Sequence, residues 1–255
     1  MGRFDGILIC SDLDGTFWRG GKENGSIEAV KYFTENGGSF CIATGRSVSH
    51  LKENGLYNIA NVPCCLLNGS KIYDYKREEV LKESFLRYTV EEFLNSIKNY
   101  VGKVLNFECF SEENTHFDHS CIPKSILGIR PYKMLCRFEE VKYADEFKEN
   151  VLKLDFFKNS YISKSWNLGV EFNSIDATKG SAVEFIKKHL GNIHTSIGIG
   201  DYENDLTLIT DSDIGVAVGN AVPALKKAAD FIVKPCEEGA IRDLIEKIEN
   251  GTIKK

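Results

Sequence analysis

A short segment near the N-terminus, Asp12-Leu13-Asp14-Gly15-Thr16, carries the sharpest chemical signal in the chain. It follows the apolar run Ile7-Leu8-Ile9-Cys10, which has the composition of a short buried strand. On extended backbone, carboxylates at i and i+2 point to the same side. Gly15 lets the chain turn directly after them. Two convergent carboxylates suit a hard cation such as Mg2+, which takes one or two of them and leaves room for a substrate phosphate. The same pair would serve equally well to cap the turn that ends a strand, so the pattern alone leaves both roles open.

The ends of other apolar runs add complementary groups. Thr44-Gly45-Arg46 follows Phe40-Cys41-Ile42-Ala43 and offers a hydroxyl, backbone amides and a guanidinium, all of them phosphate binders. Lys179 opens a helical pattern bearing Val183, Ile186 and Leu190, which places its charge beside a helix N-terminus. Gly200-Asp201-Tyr202-Glu203-Asn204-Asp205 supplies a further carboxylate pair and a side-chain amide. Asn68-Gly69 ends the run at 64–67, and Asn220 follows the run at 214–218.

The elements that must position these groups can be read from the same runs. The segments at 7–10, 40–43, 64–67, 196–199, 214–218 and 231–233 lack polar alternation and are separated by helical patterns. That predicts an α/β fold, a doubly wound parallel sheet covered on both faces. In such sheets ligands bind outside the carboxyl ends of the strands, where Asp12, Thr44, Asn68, Asp201 and Asn220 fall. Ser26 is placed to cap a helix bearing Ile27, Val30 and Phe33, which Gly37-Gly38 would stop. Residues 82–172 break the rhythm, being richer in aromatic and charged side chains. They read as an inserted α+β domain with an amphipathic helix from 90 to 100 and strands at 104–110 and 169–172. The α/β core then comprises 1–81 and 173–255, discontinuous in sequence.

Taken together, in this order and on these elements, the motifs resemble those of the haloacid dehalogenase-like hydrolase superfamily, and specifically its Cof-type phosphatases. Asp12-Leu13-Asp14-Gly15-Thr16 resembles the first motif, Thr44 in Ala43-Thr44-Gly45-Arg46 the second, Lys179 before Gly180 the third, and Gly200-Asp201 with Asn204-Asp205 the fourth. The resemblance covers essentially the whole chain, and the insertion at 82–172 is similar to the large α+β cap of that subgroup. Asn68-Gly69 resembles its core substrate loop, with Ser70 where Ala is usual; Phe17 stands where Leu is commonest.

The resemblance implies a Rossmann-like core and an Mg2+-dependent phosphatase acting on a small phosphorylated metabolite of sugar-phosphate type. It casts Asp12 as nucleophile, forming an aspartyl-phosphate, and Asp14 as general acid and base. It assigns Mg2+ to Asp12, the main-chain carbonyl of Asp14, and Asp201. Thr44 and Lys179 would bind the phosphoryl oxygens, with Gly45, Arg46, Asn68, Gly69 and Asn204 completing the substrate site and Asp205 supporting it from behind. A phosphomutase using the same phospho-aspartate is the alternative enzyme, and a phospho-acceptor signalling module the alternative outside catalysis. Asp14 argues against the module, because an acid/base at i+2 promotes turnover of the acyl phosphate.

Composition narrows the remaining classes. The chain has 255 residues, 42% hydrophobic and 27% charged, which are globular values. Lys plus Arg is 32 and Asp plus Glu 37, for a net charge of −5, so nucleic acid is not expected as the main partner. No run approaches the roughly 18 apolar residues of a membrane span. The N-terminus lacks a signal-peptide pattern, and Gly6 breaks the myristoylation motif that Gly2 would start. A cytoplasmic enzyme is therefore expected; oligomeric state stays open, and a monomer would suffice. The eight cysteines lie mostly inside apolar runs and read as reduced core thiols, with no Cys-x-x-Cys pair for zinc. Asn24, Asn68 and Asn250 begin formal glycosylation sequons but read as turns, and His116-Phe117-Asp118-His119 reads as a polar loop.

Overall fold

The computed structural model describes residues 2–112 and 114–254. The chain divides into two compact units, Met1–Lys82 with Thr178–Lys255, and Glu83–Ala177. In chain order the strands are β1 Ile7–Ser11, β2 Ser39–Ile42, β3 Cys64–Leu66, β4 Lys71–Asp74, β5 Glu79–Glu83, β6 Val104–Phe110 and β7 Thr115–Phe117. They continue as β8 Lys133–Phe138, β9 Ser160–Ser163, β10 Gly169–Ser174, β11 Thr195–Gly200, β12 Ile214–Ala217 and β13 Phe231–Ile232. The helices are α1 Ser26–Glu35, α2 Val48–Glu53, α3 Val90–Ile97, α4 Val141–Val151, α5 Lys179–Leu190, α6 Leu206–Thr210, α7 Pro223–Ala228 and α8 Ala240–Glu249.

In the first unit β13, β12, β11, β1 and β2 form one sheet in that order, with parallel pairing throughout. Successive residues of β1 enter different cores. Ile9 joins Phe40, Ile42, Ile197, Ile199 and Val216 on one side. Leu8 and Cys10 join Cys41, Ala43 and the α5 residues Ala182, Val183 and Ile186 on the other. Both faces are covered, which is why the strand sequences show no polar alternation.

The third expected parallel strand behaves differently. β3 keeps a parallel contact with the main sheet, through the parallel bridge Ala43–Cys65 and the Thr44 N–H donated to the Cys65 carbonyl at 2.8 Å, but its ladder runs antiparallel to β4 in a separate sheet of order β3-β4-β5. The cause lies in the three residues after it: Leu67, Asn68 and Gly69 all have positive φ, at 51, 58 and 107°, and reverse the chain at once. Ser26 also departs from expectation. Gly25, with φ at 80°, precedes the helix as its cap, and Ser26 is the first helical residue, its buried hydroxyl without a hydrogen-bond partner among the described residues.

The second unit is an antiparallel sheet of order β7-β6-β8-β10-β9. One face carries Phe107, Met134, Cys136, Val170 and Phe172, packed with Phe93 and Ile97 of α3 and Phe147 and Val151 of α4. Thr89 and Glu92 close a reciprocal capping box at the start of α3. The alternate positions are charged: Lys133 Nζ lies 2.8 Å from Glu171 Oε1, both almost wholly buried, and Arg137 pairs with Glu108. β10 runs to Ser174, so the chain remains in this unit through Ala177, past the boundary at 172 expected from the sequence.

Of the eight free cysteines, only Cys121 is exposed. Among the described residues no helix is long and apolar enough to cross a membrane.

Candidate active site

The site begins at the carboxyl ends of two neighbouring strands. Ser11 is in register with Ile199, and the N–H of Asp12 donates to the Ile199 carbonyl at 2.9 Å. Asp201 directly follows β11, so both carboxylates leave the sheet at the same end. Lys179 reaches them from the first position of α5. Thr178 caps that helix: its hydroxyl oxygen accepts the Ser181 N–H at 3.1 Å, and the Ser181 hydroxyl oxygen accepts the Thr178 N–H at 3.1 Å. Lys179 Nζ then donates to Asp12 Oδ1 and to Asp205 Oδ1, both at 2.6 Å. The other oxygen of Asp205 accepts the main-chain N–H groups of Asp201 at 3.0 Å and Tyr202 at 3.1 Å. Asp205 therefore holds the lysine with one oxygen and shapes the Asp201 turn with the other.

Carboxylate oxygens of Asp12, Asp201 and Asp205 all lie within 4.8 Å of one another. Lys179 and Asp205 are fully buried, and Asp12 nearly so. Burial, reinforced by the neighbouring Asp205, pushes Asp12 up to about 7, although Lys179 opposes the shift. Burial and the Asp12 and Asp205 carboxylates push Asp201 up to about 9. Burial disfavours charge on Lys179 too, but Asp12 and Asp205 outweigh it and raise its pKa, so the ammonium is retained. Three carboxylates against one ammonium is an acid-rich set of hard oxygen donors, and it fits a small divalent cation. No donor among the described residues bonds the Asp14 carbonyl oxygen, which adds another oxygen of the right type.

This electrostatic excess has a measurable consequence. The Asp12 and Asp201 carboxyls are raised above their unfolded values, so the stabilisation they give is complete at low pH and is lost as pH rises through about 7 and about 9. In EDTA the thermal midpoint is expected to fall between pH 6 and 9, and Asp201→Asn to flatten that fall. Added Mg2+ should raise the midpoint more at pH 9 than at pH 6. A pH-independent Mg2+ effect in thermal melts would contradict the arrangement.

The loops after β2 and β3 are tied together beside this cluster. Asn68 N–H donates to the Thr44 carbonyl at 3.0 Å and Leu67 N–H to the Arg46 carbonyl at 3.1 Å. Thr44 is buried, and its hydroxyl oxygen accepts the Arg46 N–H at 3.2 Å. Gly45 lies between them, half-buried. Gly69 backs onto the start of α5 so closely that a Cβ there would fall 2.3 Å from the Thr178 carbonyl oxygen. The buried Asn204 donates to Asn68 Oδ1 at 3.3 Å, linking this loop to the Asp201 turn. The Asp14 carboxylate is not part of the three-acid cluster; both its oxygens face the Arg46 guanidinium, at 2.9 and 3.0 Å.

Residues 9–245 match the family model for haloacid dehalogenase-like hydrolases. The chain belongs to that family. It is 42% identical over 265 residues to the Bacillus subtilis protein named "Putative phosphatase YkrA", covering 96% of this chain and 98% of that one. It is 25% identical over 236 residues to 5-amino-6-(5-phospho-D-ribitylamino)uracil phosphatase YcsE of the same organism, covering 88% of each. Among solved structures, the subclass IIB sugar phosphatase BT4131 aligns with a TM-score of 0.77 at 20% identity, over 97% of this chain and all of that one. A haloacid dehalogenase-like hydrolase from Bacteroides thetaiotaomicron aligns with a TM-score of 0.74, also at 20% identity, over 96% of this chain and 99% of that one.

Two pairings in this haloacid dehalogenase-like hydrolase have no signal in the sequence. Asn220 donates to the Gly15 carbonyl at 2.8 Å and accepts the Cys236 N–H at 2.7 Å, so it anchors the turn that carries Asp14. Its place at a strand end is legible in the sequence; its partners, the Gly15 carbonyl and the Cys236 N–H, are not. The second is the pairing of Arg46 with Asp14, which stands where a phosphate contact was expected of Arg46.

Proposed function

We propose that this hydrolase is an Mg2+-dependent phosphatase that cleaves phosphate monoesters of small metabolites, of the sugar-phosphate type, through an aspartyl-phosphate. The observation that carries the reading is the buried set of Asp12, Lys179, Asp205 and Asp201 at the ends of β1 and β11. The similarity to YcsE, a 5-amino-6-(5-phospho-D-ribitylamino)uracil phosphatase, and to the sugar phosphatase BT4131 supports the substrate class.

Asp12 attacks phosphorus through a carboxylate oxygen, and the bond to the ester oxygen breaks. Lys179 holds Asp12 through Oδ1 and favours its ionised, attacking form against the opposing effect of burial. Asp14 gives its proton to the departing alcohol, then takes one from the water that hydrolyses the acyl phosphate. Thr44 and Lys179 supply donors to the phosphoryl oxygens, where charge shifts as the bonds exchange. Asn204, held against Asn68, adds an amide donor to the same side. When bound by Asp12, the Asp14 carbonyl and Asp201, the cation offsets repulsion between the anionic nucleophile and the anionic ester.

The test is release of inorganic phosphate from p-nitrophenyl phosphate and from a panel of sugar phosphates. Release with Mg2+ and its loss in EDTA are expected, with free phosphate rather than an isomeric ester as product. Undiminished release in EDTA, or none from any ester with Mg2+ present, would refute the reading.

A further inference from the structure

The Arg46 guanidinium meets the Asp14 carboxylate as a two-point fork, Nε to Oδ2 at 2.9 Å and an Nη to Oδ1 at 3.0 Å. Both side chains are 45% exposed, so neither is held by packing alone. Their backbones, by contrast, are anchored. Arg46 N–H bonds the Thr44 hydroxyl, and its carbonyl accepts from Leu67. Next to Asp14, Gly15 donates to the Trp18 carbonyl at 2.8 Å and accepts from Asn220. A half-exposed carboxylate on a fixed backbone still samples several rotamers. A planar fork from a second fixed backbone removes that freedom and sets the plane of the carboxylate, which a point charge cannot do.

We propose that Arg46 is a positioning residue: it orients the Asp14 carboxyl for proton delivery to the leaving group and does not act on the phosphoryl group itself. This rests on Asp14 being the general acid. In the step concerned, an Asp12 oxygen forms a bond to phosphorus, the phosphorus–ester oxygen bond breaks, and the Asp14 proton moves to the departing alkoxide. An alkyl leaving group needs that proton, whereas dinitrophenolate leaves without it. The role of Arg46 therefore appears as a dependence on the leaving group, which a merely structural role would not produce.

The experiment compares kcat/KM for ethyl phosphate and 2,4-dinitrophenyl phosphate, since kcat/KM ends at cleavage of the ester and ignores the later hydrolysis. Arg46→Met is expected to lower the ethyl phosphate value at least ~10-fold more than the dinitrophenyl value, part of the ~10²–10⁴-fold that general-acid assistance supplies. Arg46→Lys, which keeps the charge but not the fork, should show the same skew. Asp14→Asn should show it too, and adding Arg46→Met to Asp14→Asn should deepen it no further. Equal losses on both esters in Arg46→Met, restored by Arg46→Lys, would overturn the proposal and return Arg46 to phosphate binding. If Asp14→Asn itself shows no skew, the general-acid reading fails, whatever Arg46 does.

Discussion

Asp12→Asn is expected to abolish phosphate release while the protein stays folded. The change removes one charge and leaves the shape almost intact. The new side-chain oxygen still accepts from Lys179, as Asp12 Oδ1 does at 2.6 Å. What disappears is the anionic oxygen that bonds to phosphorus in the proposed mechanism, and no other carboxylate can replace it. Asp205 has both oxygens engaged, by Lys179 and by the Asp201 and Tyr202 amides, and Asp14 is turned to Arg46. The loss should be about 10⁴-fold or more, on the scale seen when a covalent nucleophile is deleted. Stability should move the other way. Burial holds Asp12 up at about 7, so above that pH the parent carries a charge the variant does not. In EDTA at pH 8 the thermal midpoint of Asp12→Asn should equal or exceed that of the parent, and its rise on adding Mg2+ should be smaller. Near-normal turnover in this variant would remove Asp12 from the chemistry.

The parts of this arrangement that were legible in the sequence are those that depend on neighbours in the chain. Ile7-Leu8-Ile9-Cys10 could be read as a strand buried on both faces because each face meets its own core, and the acids after it fall at the strand's carboxyl end as they must. Lys179 could be placed at a helix start because Thr178 and Ser181 form the cap locally. The rest depends on contacts between distant segments. Asp205 was expected only to support the site from behind, and nothing in its neighbours in the chain shows the lysine 26 residues away against which it is completely buried. Arg46 meets Asp14 across 32 residues, and nothing in Thr44-Gly45-Arg46 distinguishes a guanidinium aimed at phosphate from one aimed at a carboxylate. The strand at 64–67 was legible from its core composition, and it does meet the parallel sheet through the parallel bridge Ala43–Cys65; its second, antiparallel partner β4 was not, because it follows from the left-handed backbone at Leu67 and Asn68, which few non-glycine residues adopt.

Lys179→Met should damage both stability and catalysis, and by separable routes. Lys179 has no exposed surface, and its ammonium is the direct partner of both Asp12 and Asp205. Removing one partner of a buried ion pair costs about 3–5 kcal/mol, because the remaining charge is left uncompensated. For a chain of this length that corresponds to a fall in thermal midpoint on the order of 10 °C. The acids can relieve the strain only by taking up protons, so the deficit in EDTA should be small at pH 5 and grow towards pH 9. Mg2+ should recover part of it, since a cation can neutralise the same carboxylates. Activity should not recover with it. In the proposed mechanism the phosphoryl oxygens lose a charged donor, worth about 10²–10³ in rate by the measure of oxyanion donors, and Asp12 loses the group that favours its ionised form. The double variant Lys179→Met with Asp205→Asn separates the two effects: deleting an uncompensated acid should restore much of the stability and none of the turnover. If Lys179→Met melted like the parent at pH 9 in EDTA, the ammonium would not be the counter-ion of this cluster. If the double variant regained activity along with stability, Lys179 would have no part in the reaction beyond holding the site together.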